Sequence, residues 1–412
     1  MKKLFLILLV LGLVFVAVVG FAVKNNAPAP VETPEPTDPD APVVTIVPNE
    51  GETAAPSEDP SSEELTASMG RVDMEALYKL HPADAVYATV GDREISWGEY
   101  YEWLGTYILS AENYMDSMAA YGVPMGWDSE YADGVTLADY VTANLADNFR
   151  AYEGIARFAA QNGIEVTEEE LAARRAEDMS AMLGPDADEA GWAEVLAGNF
   201  MTESIYLAQS RASLAINKAL AEIYGENGEK ISAAELQRYI EEKDYLRCNH
   251  ILFLTMDMNT YESLDEDTIL SKKAKAEEIA AELQAIEDRG ELLARFAELK
   301  QELDEDSGKV LNPDGYLFTP GTMVPVFEDT TRALAEFEVS APVLSDYGYH
   351  VIIRLPIEAS DTLTDGGTLG AAAASEIMGA DLDKVVDALN FELAPGMEKV
   401  NLLSFLTETS DK

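Results

Sequence analysis

The strongest constraint on the fold is a change of pattern within residues 242–357. Two segments there have the alternating apolar residues of strands, Tyr245 to Phe253 at the start and Tyr347 to Leu355 at the end. The sequence between them is typical of helices over Leu270 to Asp288, Glu291 to Leu303 and Phe327 to Ala335. Strands and helices mixed within so short a stretch predict one compact α+β unit.

The N-terminus carries a long apolar segment. Lys2 and Lys3 precede an uncharged run from Leu4 to Val23, which is long enough to cross a bilayer as a helix. Because positive residues stay on the cytoplasmic side, we expect residues 1–24 to form a single-pass transmembrane helix in the cell membrane, with the bulk of the chain extracytoplasmic. A cleaved signal peptide that leaves the protein secreted is the alternative, since small residues such as Gly20 and Ala22 could mark a cleavage site.

The rest of the chain divides by composition. Residues 25–63, with the run APAPVETPEPTDPDAP, favour a disordered linker rich in Pro and acidic residues. Residues 64–241 have a mostly helical pattern with one strand candidate, Val86 to Val90. Residues 358–412 add a helix from about Ala371 to Leu389 and an apolar stretch from Val400 to Leu406. Four capping boxes predict helix starts: Ser96 with Glu99, Thr136 with Asp139, Thr167 with Glu170, and Ser232 with Glu235.

Composition excludes several classes of function. With 28 basic against 76 acidic residues and a formal charge of -48, the chain does not have the excess of Lys and Arg that nucleic-acid binding requires. A single cysteine, Cys248, can form neither an internal disulfide nor a cysteine-ligated zinc site. We therefore expect no cofactor, no metal and no nucleic-acid partner.

Two of the three histidines, His250 and His350, lie in the two strand-type segments. Alternation places His250 on one strand face with Cys248 and Leu252, and it places His350 on a face with Ile352. Each histidine therefore points into apolar surroundings, either as a hydrogen-bonded core residue or as part of a site. Two histidines without a further ligand make a poor metal site, and the sequence has no nucleophile motif such as G-x-S-x-G.

Three segments of residues 242–357 resemble the parvulin family of prolyl isomerases, in the order and spacing typical of that family. They are Cys248-Asn-His-Ile-Leu252, similar to its first strand, Phe318-Thr-Pro-Gly-Thr-Met-Val-Pro-Val-Phe-Glu-Asp329, similar to its central signature, and Tyr347-Gly-Tyr-His-Val-Ile352, similar to its last strand. The resemblance implies a parvulin domain that catalyses rotation about X-Pro peptide bonds. That rotation has a barrier of roughly 18–20 kcal/mol and breaks no bond.

The resemblance also implies an apolar pocket for the proline ring, formed by an aromatic residue and by a Met–Phe pair that shares one helix face if a helix begins there. An apolar pocket residue of the family falls here on Gly315. Tyr316 or Leu317 would therefore have to fill the gap, or the pocket would be weaker. The predicted substrate-binding residues are Met323, Phe327, Phe318 and Leu317.

At the polar centre the resemblance implies a hydrogen-bonded pair, His250 and His350, linked to the hydroxyl group of Ser345. The pair would act through orientation and polarity, without covalent attack. Opposite it the family has Cys or Asp, which falls on Asp306, or on Asp304 if the loop length differs. The loop after the first strand is acidic, and this charge argues against selectivity for phosphorylated Ser/Thr-Pro.

Around this domain the resemblance extends to secreted foldases of the PrsA and SurA type, whose N-terminal region opens like Val86-Tyr-Ala-Thr-Val-Gly-Asp-Arg-Glu-Ile-Ser-Trp97. It implies that residues 358–412 pack on the helical region and that both bind unfolded chains. The expected partners are unfolded or partly folded secreted polypeptides that contain proline, and the membrane through the N-terminal helix. Pairing of two chains as a homodimer stays open.

Three functions remain after these steps. The first is an active isomerase with chaperone activity in its helical region. The second is a chaperone whose degenerate parvulin domain only binds chains, and the third is a structural cell-surface protein. The histidine pair, Ser345, Met323 and Phe327 favour the first function, while Gly315 favours the second.

Overall fold

The structure is a computed structural model that describes residues 70–132, 134–363 and 366–407. The predicted transmembrane helix (1–24) and linker (25–63) lie outside these ranges. Within them, no helix is both long and apolar enough to cross a membrane. The chain forms two compact units: the second unit is Ala219–Met378, and the first unit contains the residues up to Lys218 and from Gly379 onwards.

Among the described residues, the N-terminal part of the first unit contains six helices and five short strands. The helices are α1 (Met74–Tyr78), α2 (Trp97–Ala120), α3 (Leu137–Gln161), α4 (Glu168–Leu183), α5 (Glu189–Gly198) and α6 (Glu203–Ala219), and the strands are β1 (Arg71–Val72), β2 (Val86–Val90), β3 (Arg93–Ser96), β4 (Glu130–Ala132) and β5 (Val135–Thr136). Helices α2, α3 and α4 begin where the capping residues predict, because the side chains of Ser96, Thr136 and Thr167 each accept a hydrogen bond from the backbone N–H three residues later.

The core of the first unit lies where α2 and α3 meet the β2–β3 hairpin. Trp97, Leu104 and Ile108 recur on one face of α2 and are fully buried against apolar residues of α3, such as Leu145 and Phe149. Trp97 and Tyr100 of α2 are therefore core residues, as their helical spacing indicates.

The second unit contains a four-stranded antiparallel sheet in the order β7-β6-β9-β8. Its elements are a π-helical turn (Leu220–Tyr224), α7 (Ala233–Lys243), β6 (Leu246–Leu254), α8 (Glu266–Gln284), α9 (Arg289–Leu303), a 3-10 helix (Ser307–Val310), β7 (Tyr316–Phe318), α10 (Pro325–Ala333), β8 (Val343–Leu344) and β9 (Gly348–Arg354). The predicted α+β unit is thereby confirmed.

The two faces of this sheet have different cores. On one face, Ile251, Phe253 and Ile353 pack with apolar side chains of α8 and α9. On the other face, Cys248 and Ile352 pack with Phe327 of α10. Because successive strand residues point to opposite faces, His250 and His350 lie on the α10 face.

The chain then forms α11 (Leu369–Asp387), β10 (Phe391–Leu393), a 3-10 helix (Leu402–Phe405) and β11 (Leu406–Thr407). Within the first unit, β10 pairs with β2 and β11 pairs with β1, both antiparallel. Val400 and Leu402 are buried in the core that α2 and α3 form. The C-terminal residues therefore complete a fold that the N-terminal residues begin.

Candidate active site

Two central strands of the second unit bring the histidines together. In the β6–β9 ladder His250 is opposite Ile352 and His350 is opposite Leu252, so the two histidines are diagonal neighbours on one face. Their Nδ1 atoms are 2.9 Å apart and their rings are nearly parallel, with an interplanar angle of 11°. Both side chains are about 95% buried, His250 at 5% and His350 at 4% exposure. Strand register therefore creates a hydrogen-bonded pair from residues a hundred positions apart.

Asp306 extends this pair at the His250 end. Its Oδ2 atom lies 3.0 Å from Nε2 of His250 and accepts a hydrogen bond of 2.5 Å from the hydroxyl group of Tyr316. Its Oδ1 atom accepts from the backbone N–H of Gly308 and so caps the 3-10 helix. Asp304, the alternative from the sequence, instead accepts from the backbone N–H groups of Leu252 and Asp306.

Ser345 extends the pair at the His350 end. It lies in the turn between β8 and β9, with its Oγ atom 2.7 Å from Nε2 of His350. The backbone N–H of Tyr347 donates to the same Oγ atom at 3.1 Å, which leaves the hydroxyl proton of Ser345 free to point at His350. The structure thus joins Ser345, His350, His250 and Asp306 in one continuous chain of hydrogen bonds.

This chain has a direction when both imidazoles are neutral. Ionised Asp306 can only accept, so His250 must carry its proton on Nε2, and its Nδ1 atom must then accept from His350. His350 in turn accepts from Ser345 through Nε2. Each of these three hydrogen bonds then has one proton, and each is donated in the direction of the carboxylate of Asp306.

The pKa shifts agree with this arrangement. Burial, with a smaller contribution from His250, lowers the pKa of His350 to about 3, so this ring is neutral at physiological pH. Burial would raise the pKa of Asp306, but hydrogen bonds from His250, Tyr316 and Gly308 outweigh it and hold that pKa well below its ordinary value. Burial and the bond to Asp306 raise the pKa of Tyr316, which keeps its hydroxyl proton in place.

An apolar cluster lies directly against the histidines. The ring of Phe327 meets both imidazoles edge to face, with centroids 5.1 Å from His250 and 5.3 Å from His350. Phe318 packs behind Phe327 at 6.2 Å, and Met323 is one of the half-buried members of the cluster. These three predicted pocket residues therefore adjoin the polar chain.

Two details of the predicted pocket are wrong. Leu317 lies outside the cluster, because alternation along β7 turns it to the opposite face, where it packs with Tyr239 and Ile240. Met323 and Phe327 do not share a helix face, because α10 begins only at Pro325. Met323 reaches the cluster from the preceding loop.

Tyr316, which the sequence offered only as a residue that could fill the gap at Gly315, also contacts the polar chain, and this contact was not predicted. Its ring meets His250 edge to face at 5.5 Å, in addition to its bond with Asp306. Gly315 beside it has a φ of +97°, and a Cβ atom there would lie 2.2 Å from the carbonyl oxygen of Cys248. A side chain at 315 would therefore force the backbone of β6 to move. No sequence signal identified this contact, because β7 has only three residues and is too short to show a period; in the structure, alternation places Tyr316 on the same β7 face as Phe318.

Comparisons with known proteins agree with this geometry. The sequence profile of the PPIC-type peptidyl-prolyl isomerase (rotamase) domain matches residues 250–355. The chain carries a parvulin-type isomerase domain. It is also similar to the foldase protein PrsA of Geobacillus kaustophilus, with 34% identity over 30% of this chain and 36% of that protein. It is similar to PrsA of Caldanaerobacter subterraneus, with 27% identity over 65% of this chain and 72% of that protein.

The first of these relatives is matched over about a third of its length, and the second over nearly three quarters. Among solved structures, peptidylprolyl isomerase PrsA from Bacillus anthracis has 18% sequence identity and covers 58% of this chain and 93% of that chain, with a TM-score of 0.22. That superposition is too weak to bear on the fold. The parvulin domain, a peptidyl-prolyl cis-trans isomerase by class, is what the sequence comparisons establish.

Proposed function

We propose that this chain catalyses cis-trans isomerisation of X-Pro bonds in unfolded or partly folded polypeptides outside the cytoplasm. The observation that carries the proposal is the hydrogen-bonded chain from Ser345 to Asp306 beside the Phe327 cluster. Uncatalysed X-Pro isomerisation takes tens to hundreds of seconds, which is slow enough to limit the folding of exported chains.

In this proposal, each part of the site has a physical task. Met323 and Phe327 hold the proline ring by apolar contact and exclude water from the rotating bond. The planar amide is stabilised by charge separation, which bulk water supports, so a dry site beside the fixed charge of Asp306 disfavours the planar form relative to the twisted one. His250, His350 and Ser345 act as positioning residues, because they hold Asp306 through hydrogen bonds.

The test is the exchange rate between cis and trans forms of a short Ala-Pro peptide, measured by NMR with the full chain and with His350→Ala or Met323→Ala. Loss of one hydrogen bond in a charged network costs about 1.5–3 kcal/mol, so we expect His350→Ala to slow exchange roughly 10- to 100-fold. His81→Ala is the matched control, because His81 lies in the first unit and packs on Trp97. Equal exchange rates in the His350 variant and the control would refute the proposal.

We further propose chaperone activity for the helical region, supported by a cleft in the first unit. The cleft has a volume of about 410 Å³ and apolar and aromatic walls that include Trp103, Phe149 and Tyr152. The chain should therefore suppress aggregation of an unfolded client even when His350→Ala slows exchange. A His350 variant that also fails to suppress aggregation would contradict a separate chaperone site.

Membrane attachment through residues 1–24 and assembly as a homodimer belong to the same proposal. Fractionation of cells that express the full chain, with and without residues 1–24, tests the first point. Sedimentation of the purified chain at several concentrations tests the second.

A further inference from the structure

A second cleft lies in the second unit, on the sheet face opposite the histidines. It opens between α9 and the strands β6 and β9, and the loop before β7 closes one end. Its volume of about 360 Å³ falls in the range of small-molecule sites. The lining residues are Asn249, Leu293, Phe296, Ala297, Lys300, Gln301, Lys309, Pro313, Ile353 and Leu355.

The charge of this cleft is opposite to that of the chain. Acidic residues outnumber basic ones 76 to 28 in the sequence, yet among the described residues two lysines and no acidic residue line the cleft. The remaining walls are mostly apolar, including Ile353, which is fully buried at its base, and Leu293, which is 39% exposed at its rim. A cleft of this kind favours an anion that is attached to an apolar group.

Lys300 gives the cleft its specific chemistry. Its side chain is 93% buried, at 7% exposure, and its ammonium group donates to Oδ1 of Asn249 at 2.6 Å. In the part of the chain that the structure describes, no carboxylate lies within 4 Å of this ammonium group, so its direct partner is an uncharged amide oxygen. Because an ammonium group has three donors, and buried charges are normally paired, Lys300 retains capacity for an anionic partner.

The two aspartates near Lys300 do not pair with its ammonium group. Burial lowers the pKa of Lys300, and the charges of Asp304 and Asp306 partly oppose that effect. Neither aspartate lines the cleft: Asp306 bonds to His250 on the other sheet face, and Asp304 accepts from the backbone of β6. Lys309 adds a second cation at the rim, where its ammonium group donates to the carbonyl oxygen of Asp304.

We propose that this cleft binds a carboxylate on an apolar stem, with the carboxylate at Lys300 and the stem against Phe296 and Ile353. A single carboxylate on an apolar stem fits better than a phosphate group, because the walls are mostly apolar and the described lining residues include no arginine fork. Two sources share this chemistry: the C-terminal end of a polypeptide with an apolar last residue, and a free aliphatic or aromatic acid. The site is separate from the isomerase site and does not depend on that activity.

The test is a titration of the full chain, labelled at Ile and Leu methyl groups, monitored by NMR. The probes are 4-phenylbutyrate, acetyl-Ala-Phe with a free carboxylate, and the amide of each. We expect both acids, or one of them, to shift the methyl signals of Ile353, Leu355 and Leu293 while Ile205 in the first unit stays unchanged. Binding of the peptide acid alone identifies a polypeptide terminus, and binding of 4-phenylbutyrate alone identifies a free acid.

Two variants decide whether Lys300 is responsible. Lys300→Met should weaken binding of the acid at least tenfold, whereas Lys273→Met on the exposed face of α8 should leave it unchanged. If Lys300→Met disturbs the fold, the variant Leu293→Glu is used in its place. This rim position is exposed, and a negative charge there should repel the acid. Equal affinity for acids and amides, no methyl shift, or full binding by both cleft variants would overturn the proposal.

Discussion

Replacing Gly315 with alanine should destabilise the second unit more than its small size suggests. A φ of +97° costs an L-residue about 1–2 kcal/mol. The new Cβ atom would also lie 2.2 Å from the carbonyl oxygen of Cys248 and 3.1 Å from Cβ of Asn249, so β6 must move. Overpacking of this kind typically costs a further 1–3 kcal/mol, which brings the expected loss in free energy of unfolding to about 2–5 kcal/mol.

The chain contains its own reporters for this measurement. Its one cysteine, Cys248, is fully buried in the second unit, so the rate at which a thiol reagent modifies it in urea reports unfolding of that unit. All four tryptophans belong to the first unit, so their fluorescence reports that unit: Trp97, Trp103, Trp127 and Trp192. Gly315→Ala should shift the thiol transition to lower urea and leave the fluorescence transition in place.

Gly321→Ala is the matched control. Gly321 has a φ of +81°, but a Cβ atom there would meet nothing within 4 Å. Gly321→Ala should therefore lower the free energy of unfolding only by the backbone cost of about 1–2 kcal/mol. If both variants lose the same stability, the close approach to Cys248 does not explain the glycine, and the interpretation of Gly315 as a packing requirement is refuted.

Three further predictions concern the site. Tyr316→Phe removes one donor to Asp306, so the pKa of that carboxyl group should rise by roughly one unit and the acidic limb of the isomerisation pH profile should move up with it; an unmoved limb would contradict this. The folded pKa of His350 is lowered from 6.5 to about 3, so between these values the unfolded state binds the extra proton. The free energy of unfolding should therefore fall as pH falls, by about 1.4 kcal/mol per unit, and His350→Gln should reduce that slope in denaturation curves. Burial raises the pKa of Cys248 to about 12, so its thiol should resist alkylation at pH 8 in the folded chain, and rapid modification without denaturant would show that the strand is not buried.

Much of the second unit could be predicted because its signals are local. The helices α8 and α9 and the strands β6 and β9 lie within a few residues of their predicted positions. Strands β7 and β8, with three and two residues, are too short to show a period and were missed. Helix α6 ends at Ala219 and the chain continues as a π-helical turn to Tyr224, a hydrogen-bond shift that composition does not encode.

The candidate site could also be predicted only in part. The sequence alone placed His250 and His350 in strands and identified the segment with Phe318, Met323 and Phe327. These features could be predicted because alternation and spacing depend only on neighbouring residues. Only the tertiary structure placed Asp306, rather than Asp304, against His250, since the path of a loop depends on what it packs against. It also turned Leu317 away from the site and brought Tyr316 to Asp306. The register between β6 and β9 decides which side chains meet across a hundred residues, and that register is set by pairing and packing that act together over the whole sheet.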